Sequence, residues 1–352
     1  MIKNFAKKNL KTILKFSVLN LIYSFFIIPT FIISQNIKKI FIKKIKYHSQ
    51  YVSINIVGNS DNWILGRIKK EILANRFLSN KEGYKVNFFL HYSLLPNKPN
   101  SWFSKYPNIL FFTHEDIRNY RPYYLYRKLF SYYELIVCMN NESNKYISRI
   151  ITNGKHSHSE KVVTNYFAGL STELKLHAEA YKKSNFKKDN IIKLGFHCRP
   201  YSRKRPELVS LIIESLPNFK LICCGEGHSQ LPIYDKLKSL NRIEFKEYIY
   251  SDLHLFYKEI DLLICSSSFE GGPTPLMEAN AFGIPFLSTN VGFAKEISTE
   301  YDKVVDVDSS ISTISKSLTE LTKNIYLKPK TILTWEEVVD KFYLQIKRVL
   351  KE

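Results

Sequence analysis

Short apolar runs alternate with amphipathic stretches along the chain beyond residue 50, and this alternation is the feature that most constrains the fold. The apolar runs have the length of buried strands, and the stretches between them carry apolar residues at helical spacing. Strands and helices that alternate in this way predict βαβ units and parallel sheets. The predicted strands are 51–57 (YVSINIV), 86–90, 109–112, 135–139, 191–196, 219–224, 243–245, 262–265, 286–288 and 304–307.

The helices predicted between these strands end with one that opens on Thr334-Trp335-Glu336-Glu337. This is the pattern of a capping box, in which the threonine hydroxyl and the glutamate carboxylate each accept a bond from the other residue's backbone N–H. The other predicted helices are 62–77, 205–215, 230–239, 252–258, 275–282 and 309–323.

A polar stretch at 182–190, KKSNFKKDN, divides the strands into two series. A chain of 352 residues is too long for one small core and suits two α/β domains. We therefore predict two tandem Rossmann-like domains at 51–186 and 187–335, with a separate segment before them at 1–50 and a C-terminal helix at 336–352. Ligands of such sheets bind at the carboxyl ends of the strands, so we expect the site between the domains.

The first 50 residues form a basic and apolar segment. They contain ten lysines and no acidic residue, which is half of the formal net charge of +20. Within them, 16–37 holds 22 uncharged positions, enough to cross a bilayer. However, Pro29 would kink a helix, and lysines on both sides cancel the positive-inside bias. The segment favours an anchor on the membrane surface, with a single span or an ordinary buried helix as the alternatives.

The partner of this segment follows from its composition. A basic arm can bind nucleic acid or an anionic membrane, and the many Phe and Ile residues favour the membrane and argue against nucleic acid. The five cysteines form no C-x-x-C pair and lie mostly in apolar runs, which is typical of reduced thiols in a cytoplasmic protein. We therefore expect the protein at the cytoplasmic face of the cell membrane.

The stretch FEGGPTPLMEANAFGIP at 269–285 carries the chemistry. Thr274 can cap a helix, and Pro275 fits the first helical position. The N–H groups of such a helix start bind anions such as phosphate. Gly271 and Gly272 allow the backbone to approach a ligand closely. Two acids bracket this helix start, Glu270 before it and Glu278 one turn inside, where they can accept bonds from sugar hydroxyls.

This stretch resembles the E-x7-E motif of glycosyltransferases with the GT-B fold, in particular those of family 4. The resemblance implies that Glu270 contacts the donor sugar in a catalytic role and that Glu278 binds the ribose of the nucleotide. It also implies a donor-binding second domain and an acceptor-binding first domain. The glycines and the helix start would then receive the diphosphate of the donor, through Gly271, Gly272, Thr274, Pro275 and Leu276.

The same family has a basic pair after the first strand of its second domain, which neutralises the donor diphosphate. The corresponding stretch of this chain is GFHCRPYSRKR at 195–205. Phe196 occupies the position at which the family usually has Arg. The candidates for the basic pair are therefore Arg199 with either Arg203 or Lys204. Gly225, in a Gly-Glu-Gly turn, resembles the family's glycine turn near the nucleotide.

Two candidates in the first domain also come from the resemblance. Gly66 would correspond to a glycine-rich loop that touches phosphate or acceptor. His114, at the end of a buried strand, would lie near the reacting centre, with Glu115 and Asp116 as alternatives.

The Asp306-Val307-Asp308 stretch spells the D-x-D motif that binds a metal in other glycosyltransferases. Its place before a predicted helix favours helix capping instead. The basic loop and the helix start already supply positive charge, so we expect neither a metal nor another cofactor to be required.

The resulting prediction is a glycosyltransferase, retaining by resemblance, that moves a sugar from a nucleotide-sugar donor to a cell-surface polysaccharide, lipopolysaccharide or lipid-linked saccharide. Two alternatives remain at this point. A nucleotide-sugar epimerase of the GT-B fold would bind the same donor but would not need the membrane segment. A non-enzymatic saccharide-binding protein at the membrane surface would not need both glutamates.

Deleting residues 1–48 is expected to release the protein from membranes, because each lysine near anionic lipid contributes about 1 kcal/mol of binding. Sedimentation of the full and truncated chains with anionic vesicles measures the effect. A truncated chain that still sediments with the vesicles would contradict the membrane assignment.

Overall fold

A computed structural model describes residues 52–57, 64–79, 84–90, 106–113, 127, 129–156, 158–181, 191–324 and 332–350. The predicted membrane segment, the 182–190 stretch and His114 with its neighbours Glu115 and Asp116 lie outside these residues. No helix in the described part is both long enough and apolar enough to cross a bilayer. The chain forms two compact units, one of Met1–Asn165 with Val339–Glu352 and the other of Tyr166–Val338.

The first unit contains a five-stranded parallel sheet in the order β1-β2-β3-β4-β5. Its third and fourth strands are wholly buried, which is typical of parallel strands that are covered on both faces. Its elements are β1 (Val52–Val57), α1 (Ile64–Ala74), β2 (Tyr84–Phe89), β3 (Asn108–Phe112), β4 (Leu135–Cys138), α2 (Asn141–Ile151) and β5 (Val162–Thr164).

Aromatic residues pack on both faces of this sheet. Phe89 of β2 contacts Tyr133 edge-on, with ring centroids 6.0 Å apart. Phe88, the preceding residue, faces the other way and packs at 5.0 Å against Phe342. Since neighbouring residues of a strand point to opposite faces, these contacts show that both faces are covered. Phe342 belongs to the last helix of the chain, which therefore contributes to the core of the first unit.

The second unit contains a six-stranded parallel sheet in the order β11-β10-β9-β6-β7-β8. Its strands are β6 (Ile192–His197), β7 (Phe219–Cys224), β8 (Ile243–Lys246), β9 (Leu262–Cys265), β10 (Phe286–Thr289) and β11 (Lys303–Val305). β6 pairs with both β7 and β9, so the strand order reverses there. Ligands of open α/β sheets bind at the carboxyl ends of the strands at such a reversal.

Helices cover both faces of the second sheet. Along β7, Leu221 and Cys223 belong to one core cluster, and Ile222 and Cys224 to the other. This alternation gives each helix layer its own core. The helices are α3 (Thr172–Ala180), α4 (Pro206–Ser215), α5 (Asp235–Ser239), α6 (Leu253–Glu259), α7 (Thr274–Ala281), α8 (Ala294–Ile297), α9 (Ile311–Leu321) and α10 (Trp335–Leu350), which continues into the first unit.

The two α/β units with parallel sheets confirm the predicted fold class, but they divide after Asn165 and not after residue 186. The segment before the predicted linker packs into the second unit, because Leu174 and Ala178 of α3 are buried in one of its cores. Leu170 also pairs with the segment before α10, where its backbone N–H donates to Leu333 O at 3.0 Å. Sequence analysis also missed α2, β5, α3 and α8.

The capping box of α10 is confirmed. The Glu337 carboxylate accepts a bond from the Thr334 backbone N–H at 2.6 Å, and the Thr334 hydroxyl accepts one from the Glu337 N–H at 3.2 Å. These bonds lower the pKa of Glu337, with the Thr334 backbone as the largest cause. The cap determines where the helix begins.

Thr334→Ala is expected to lower the free energy of unfolding by about 1 kcal/mol, because it removes the cap from an otherwise intact helix. Urea unfolding followed by circular dichroism measures the change. Thr322→Ala is the control, since it removes an exposed hydroxyl that bonds only to a helix carbonyl and should change stability by less than about 0.5 kcal/mol. Equal effects from the two variants would contradict a capping role.

Candidate functional site

The loop between β9 and α7 places the predicted site at the carboxyl end of the second sheet. α7 begins at Thr274, with Pro273 in the cap position and no capping side chain. The prediction that Thr274 caps this helix is therefore wrong by one position. Pro275 has no N–H, and the Leu276 N–H donates to Pro273 O at 3.1 Å. The positive end of the helix dipole still favours an anion beside Thr274.

Glu270 lies in this loop with its side chain 8% exposed. One carboxylate oxygen, Oε2, lies 3.2 Å from Nη1 of Arg203. The other, Oε1, accepts a bond from the Ser267 hydroxyl at 3.0 Å and forms an ion pair with Lys204. The structure thus brings together a predicted sugar-binding residue and two predicted phosphate-binding residues.

Further hydrogen bonds hold the basic loop after β6 against the loop after β9. The Ser268 backbone N–H donates to Arg203 O at 2.8 Å, and the Ser266 hydroxyl donates to Lys204 O at 2.6 Å. Two cations around one carboxylate leave a net positive charge beside the start of α7. The arrangement can therefore attract an anionic group while keeping every charge of the cluster close to an opposite one.

Arg199, the third basic candidate, has different partners. Its guanidinium lies 3.9 Å from the Glu226 carboxylate and donates to the Tyr201 hydroxyl at 3.5 Å, and its side chain is 44% exposed. The Tyr201 hydroxyl raises the pKa of Arg199, so the guanidinium stays charged. An exposed cation of this kind contributes little to stability and is free to change its partner.

Gly225 lets the ends of β6 and β7 approach each other. Its φ is +130°, and a side chain there would place Cβ 2.2 Å from Cys198 O. The same carbonyl lies 2.8 Å from Nε2 of the buried His228, whose Nδ1 lies 3.3 Å from the Tyr234 hydroxyl. Burial lowers the pKa of His228. The imidazole is therefore neutral, with its proton on Nε2 where it can donate to Cys198 O.

Glu278 is buried within α7 and has a separate set of partners. Its Oε2 accepts a bond from the Tyr257 hydroxyl at 2.5 Å and lies 3.5 Å from Nδ1 of His197. Neither His197 nor Tyr257 was predicted from the sequence. The position of His197 at the end of a predicted strand was a usable signal, whereas nothing in the sequence placed Tyr257 beside Glu278.

Gly271 and Gly272 lie against another loop of the second unit. A Cβ on Gly292, whose φ is +55°, would lie 2.8 Å from Gly271 O and 3.0 Å from Gly272 Cα. The sequence predicted that these glycines let the backbone approach a ligand closely. In the structure, they lie close to the loop after β10. This contact positions the start of α7 relative to β10.

Gly66 and the D-x-D stretch do not lie as predicted. Gly66 is the third residue of α1 and is buried, so it is not in a loop. The helix after the D-x-D stretch is capped by Ser310, whose hydroxyl accepts from the Thr313 N–H, so the predicted aspartate cap is wrong. Among the described residues no group of three or more side chains could hold a metal ion.

Comparison with known proteins supports the fold. Residues 177–330 match the family model described as “Glycosyl transferases group 1”. No curated protein matches the chain. Sucrose-phosphate synthase from Thermosynechococcus elongatus is 14% identical, with a TM-score of 0.53, over 77% of this chain and 70% of that one.

Two further solved structures are similar. Anabaena Alr3699/HepE in complex with UDP is 12% identical, with a TM-score of 0.58, over 86% of this chain and 97% of that one. The pneumococcal O-GlcNAc transferase GtfA, in complex with UDP and GlcNAc, is 15% identical, with a TM-score of 0.56, over 82% of this chain and 60% of that one. At such identities the likeness concerns the fold, and it confirms the predicted GT-B resemblance.

Gly225→Ala is expected to destabilise the second unit more than Gly227→Ala. Both residues have positive φ, so each substitution costs about 1–2 kcal/mol of backbone strain. Only Gly225 adds a clash with Cys198 O, since the nearest atom to a Cβ at Gly227 is 3.6 Å away; overpacking of this kind costs about 1–3 kcal/mol more. Urea unfolding compares the two, and equal costs would contradict the close approach of β6 and β7.

Proposed function

From the family match over residues 177–330 and the GT-B fold, we propose that this protein is a retaining glycosyltransferase that uses a UDP-sugar donor. The observation that carries the proposal is the cluster of Glu270 with Arg203 and Lys204. It lies beside the uncapped start of α7, where the strand order of the sheet reverses. Cations and a helix start next to a carboxylate suit a ligand that joins a diphosphate to a sugar.

The diphosphate would bind at the start of α7, where backbone N–H groups and the helix dipole favour anions. As the bond between the sugar and the phosphate breaks, negative charge develops on the departing phosphate. Arg203 and Lys204, already held in place by Glu270, would stabilise this charge. In this proposal they need no assistance from a metal, and the reaction uses no cofactor.

Glu270 would also contact the donor sugar. Each ionised carboxylate offers about four acceptor positions, and the contacts to Arg203, Lys204 and Ser267 occupy three of them. A sugar hydroxyl can therefore bond to Glu270 without displacing either cation.

The chemical step would retain the configuration of the sugar. The bond from the anomeric carbon to the phosphate oxygen breaks, and the acceptor oxygen bonds to that carbon on the same face. The acceptor's proton passes to the departing phosphate, and the products are UDP and the glycosylated acceptor. Within the described residues we assign no nucleophile from the protein to this step.

The choice of UDP rests on the similar proteins. The Anabaena protein was solved with UDP and with UDP-glucose, and GtfA with UDP and GlcNAc. We propose that the donor sugar of this protein is likewise a hexose or an N-acetylhexosamine.

The acceptor is proposed to be a growing cell-surface saccharide, a lipopolysaccharide or a lipid-linked saccharide. The basic and apolar residues 1–50 motivate the lipid part of this proposal, since they would hold the enzyme on an anionic membrane at its cytoplasmic face.

Glu270→Gln is expected to lower the rate of sugar transfer at least about 100-fold, because it neutralises the carboxylate that orders both cations. The assay incubates membranes and purified protein with radiolabelled UDP-sugars and follows label in extractable saccharide. The thermal midpoint should fall by only a few degrees, since Gln keeps the size of the side chain.

Glu244→Gln is the matched control. It also removes a carboxylate of the second unit that pairs with two cations, Lys220 and Lys246, but it lies on β8 outside the assigned site, and activity should be unchanged. Full activity of Glu270→Gln would contradict the assigned site. Conversion of the UDP-sugar without any acceptor would instead support the epimerase alternative, and donor binding without turnover would support a binding protein.

A further inference from the structure

His197 and Tyr257 form a hydrogen-bonded chain that ends on Glu278. The proposed reaction assigns no role to these two side chains. Nδ1 of His197 lies 3.0 Å from the Tyr257 hydroxyl, and this hydroxyl lies 2.5 Å from Oε2 of Glu278. The three residues come from the end of β6, from α6 and from α7. The chain therefore joins three elements around one carboxylate.

The direction of these bonds follows from the number of protons. A carboxylate only accepts, and a tyrosine hydroxyl has one proton, so Tyr257 donates to Glu278. The Tyr257 oxygen must then accept from His197, which places a proton on Nδ1. Burial raises the pKa of Tyr257 well above its usual value, and the charge of Glu278 raises it further, so the hydroxyl keeps its proton.

The tyrosine is fixed in this position by its surroundings. Tyr257 is fully buried, stacks on Phe282 at a centroid distance of 5.3 Å and meets Phe256 edge-on at 5.1 Å. Because these contacts fix the ring, its hydroxyl holds Oε2 of Glu278 in a defined position. No described residue gives the other oxygen, Oε1, a hydrogen bond, although the Glu278 side chain is only 7% exposed.

The two glutamates of the stretch are therefore prepared for different ligands. Both oxygens of Glu270 contact cations. Glu278 has no Lys or Arg partner among the described residues, and one of its oxygens is held by a neutral hydroxyl. Its remaining oxygen is suited to a neutral hydrogen-bond donor such as a sugar hydroxyl.

We propose that Tyr257 and His197 are positioning residues that turn Oε1 of Glu278 toward a ribose hydroxyl and so make the site select ribonucleotides over deoxyribonucleotides. The inference rests on the proposed function, because it takes UDP as the bound nucleotide. It adds that selection for ribose depends on a chain of bonds reaching back to the end of β6.

Calorimetric titration of the full chain with UDP, 2′-deoxy-UDP and 3′-deoxy-UDP tests this inference. For the wild-type protein we expect at least one deoxy analogue to bind about tenfold more weakly than UDP, the loss typical of one hydrogen bond to a charged group. Tyr257→Phe should bind UDP about tenfold more weakly, and its preference for UDP over that analogue should nearly disappear. A purely structural defect would weaken all three ligands equally.

Tyr181→Phe is the matched control for the tyrosine. It also removes one hydroxyl from the second unit, but this hydroxyl bonds to Lys258 O at 3.2 Å and not to Glu278. UDP affinity and the preference over the deoxy analogues should remain as in the wild-type protein.

A pair of histidine variants provides a test that does not depend on Tyr257. The amide nitrogen of Asn can replace the Nδ1 donor of His, whereas Ala cannot. We expect His197→Ala to lose most of the preference for ribose and His197→Asn to retain it, with both variants folded by circular dichroism.

The outcomes separate the two proposals. UDP binding by the wild-type protein with an unchanged ribose preference in Tyr257→Phe and His197→Ala would overturn the inference and leave the proposed function standing. The same holds if neither deoxy analogue binds more weakly than UDP to the wild-type protein. A wild-type protein that does not bind UDP would overturn the proposed donor and the inference together.

Discussion

The contact of Glu270 with Arg203 and Lys204 is the interaction on which the site depends. These residues belong to two loops, one after β6 and one after β9, which follow neighbouring strands at the reversal of strand order. Partly buried charges are costly unless they are paired, so each loop supplies the opposite charge that the other needs, and the bonds from Ser268 and Ser266 to the basic loop add to this contact. The same pairing leaves a net positive charge beside the start of α7.

Around this contact, the two glutamates of one helix start have opposite electrostatic surroundings. Glu270 lies among cations, whereas Glu278 lies against the aromatic Tyr257 and the imidazole of His197. Within the second unit, the carboxylate that contacts cations and the carboxylate that contacts neutral groups are thus separated by the end of the loop and the first turn of α7. A ligand with a diphosphate at one end and sugars beside it matches this division.

The residues of the motif at 269–285 were predictable because they are close in sequence, and local signals such as Gly-Gly and Thr-Pro mark a turn and a helix start. The partners of these residues were less predictable. Arg203 and Lys204 were predicted as phosphate ligands, but their ion pairs to Glu270 were not foreseen, and neither were His197, Tyr257 or His228. Gly66 lies in α1, within the helix that periodicity predicted at 62–77, and only the family resemblance placed it in a loop.

By itself, the sequence determined every strand except β5, most of the helices of the second unit, the fold class and the cap of α10. These depend on periodicity and on contacts within a few residues, which a linear pattern records. The tertiary structure alone decided that the segment from Tyr166 onward joins the second unit. It also decided how each glutamate is bonded. The partners are distant in sequence, 21 positions for Tyr257 and Glu278 and 66 for Lys204 and Glu270. The packing of strands in the order β9-β6-β7 brings Lys204 and Glu270 together.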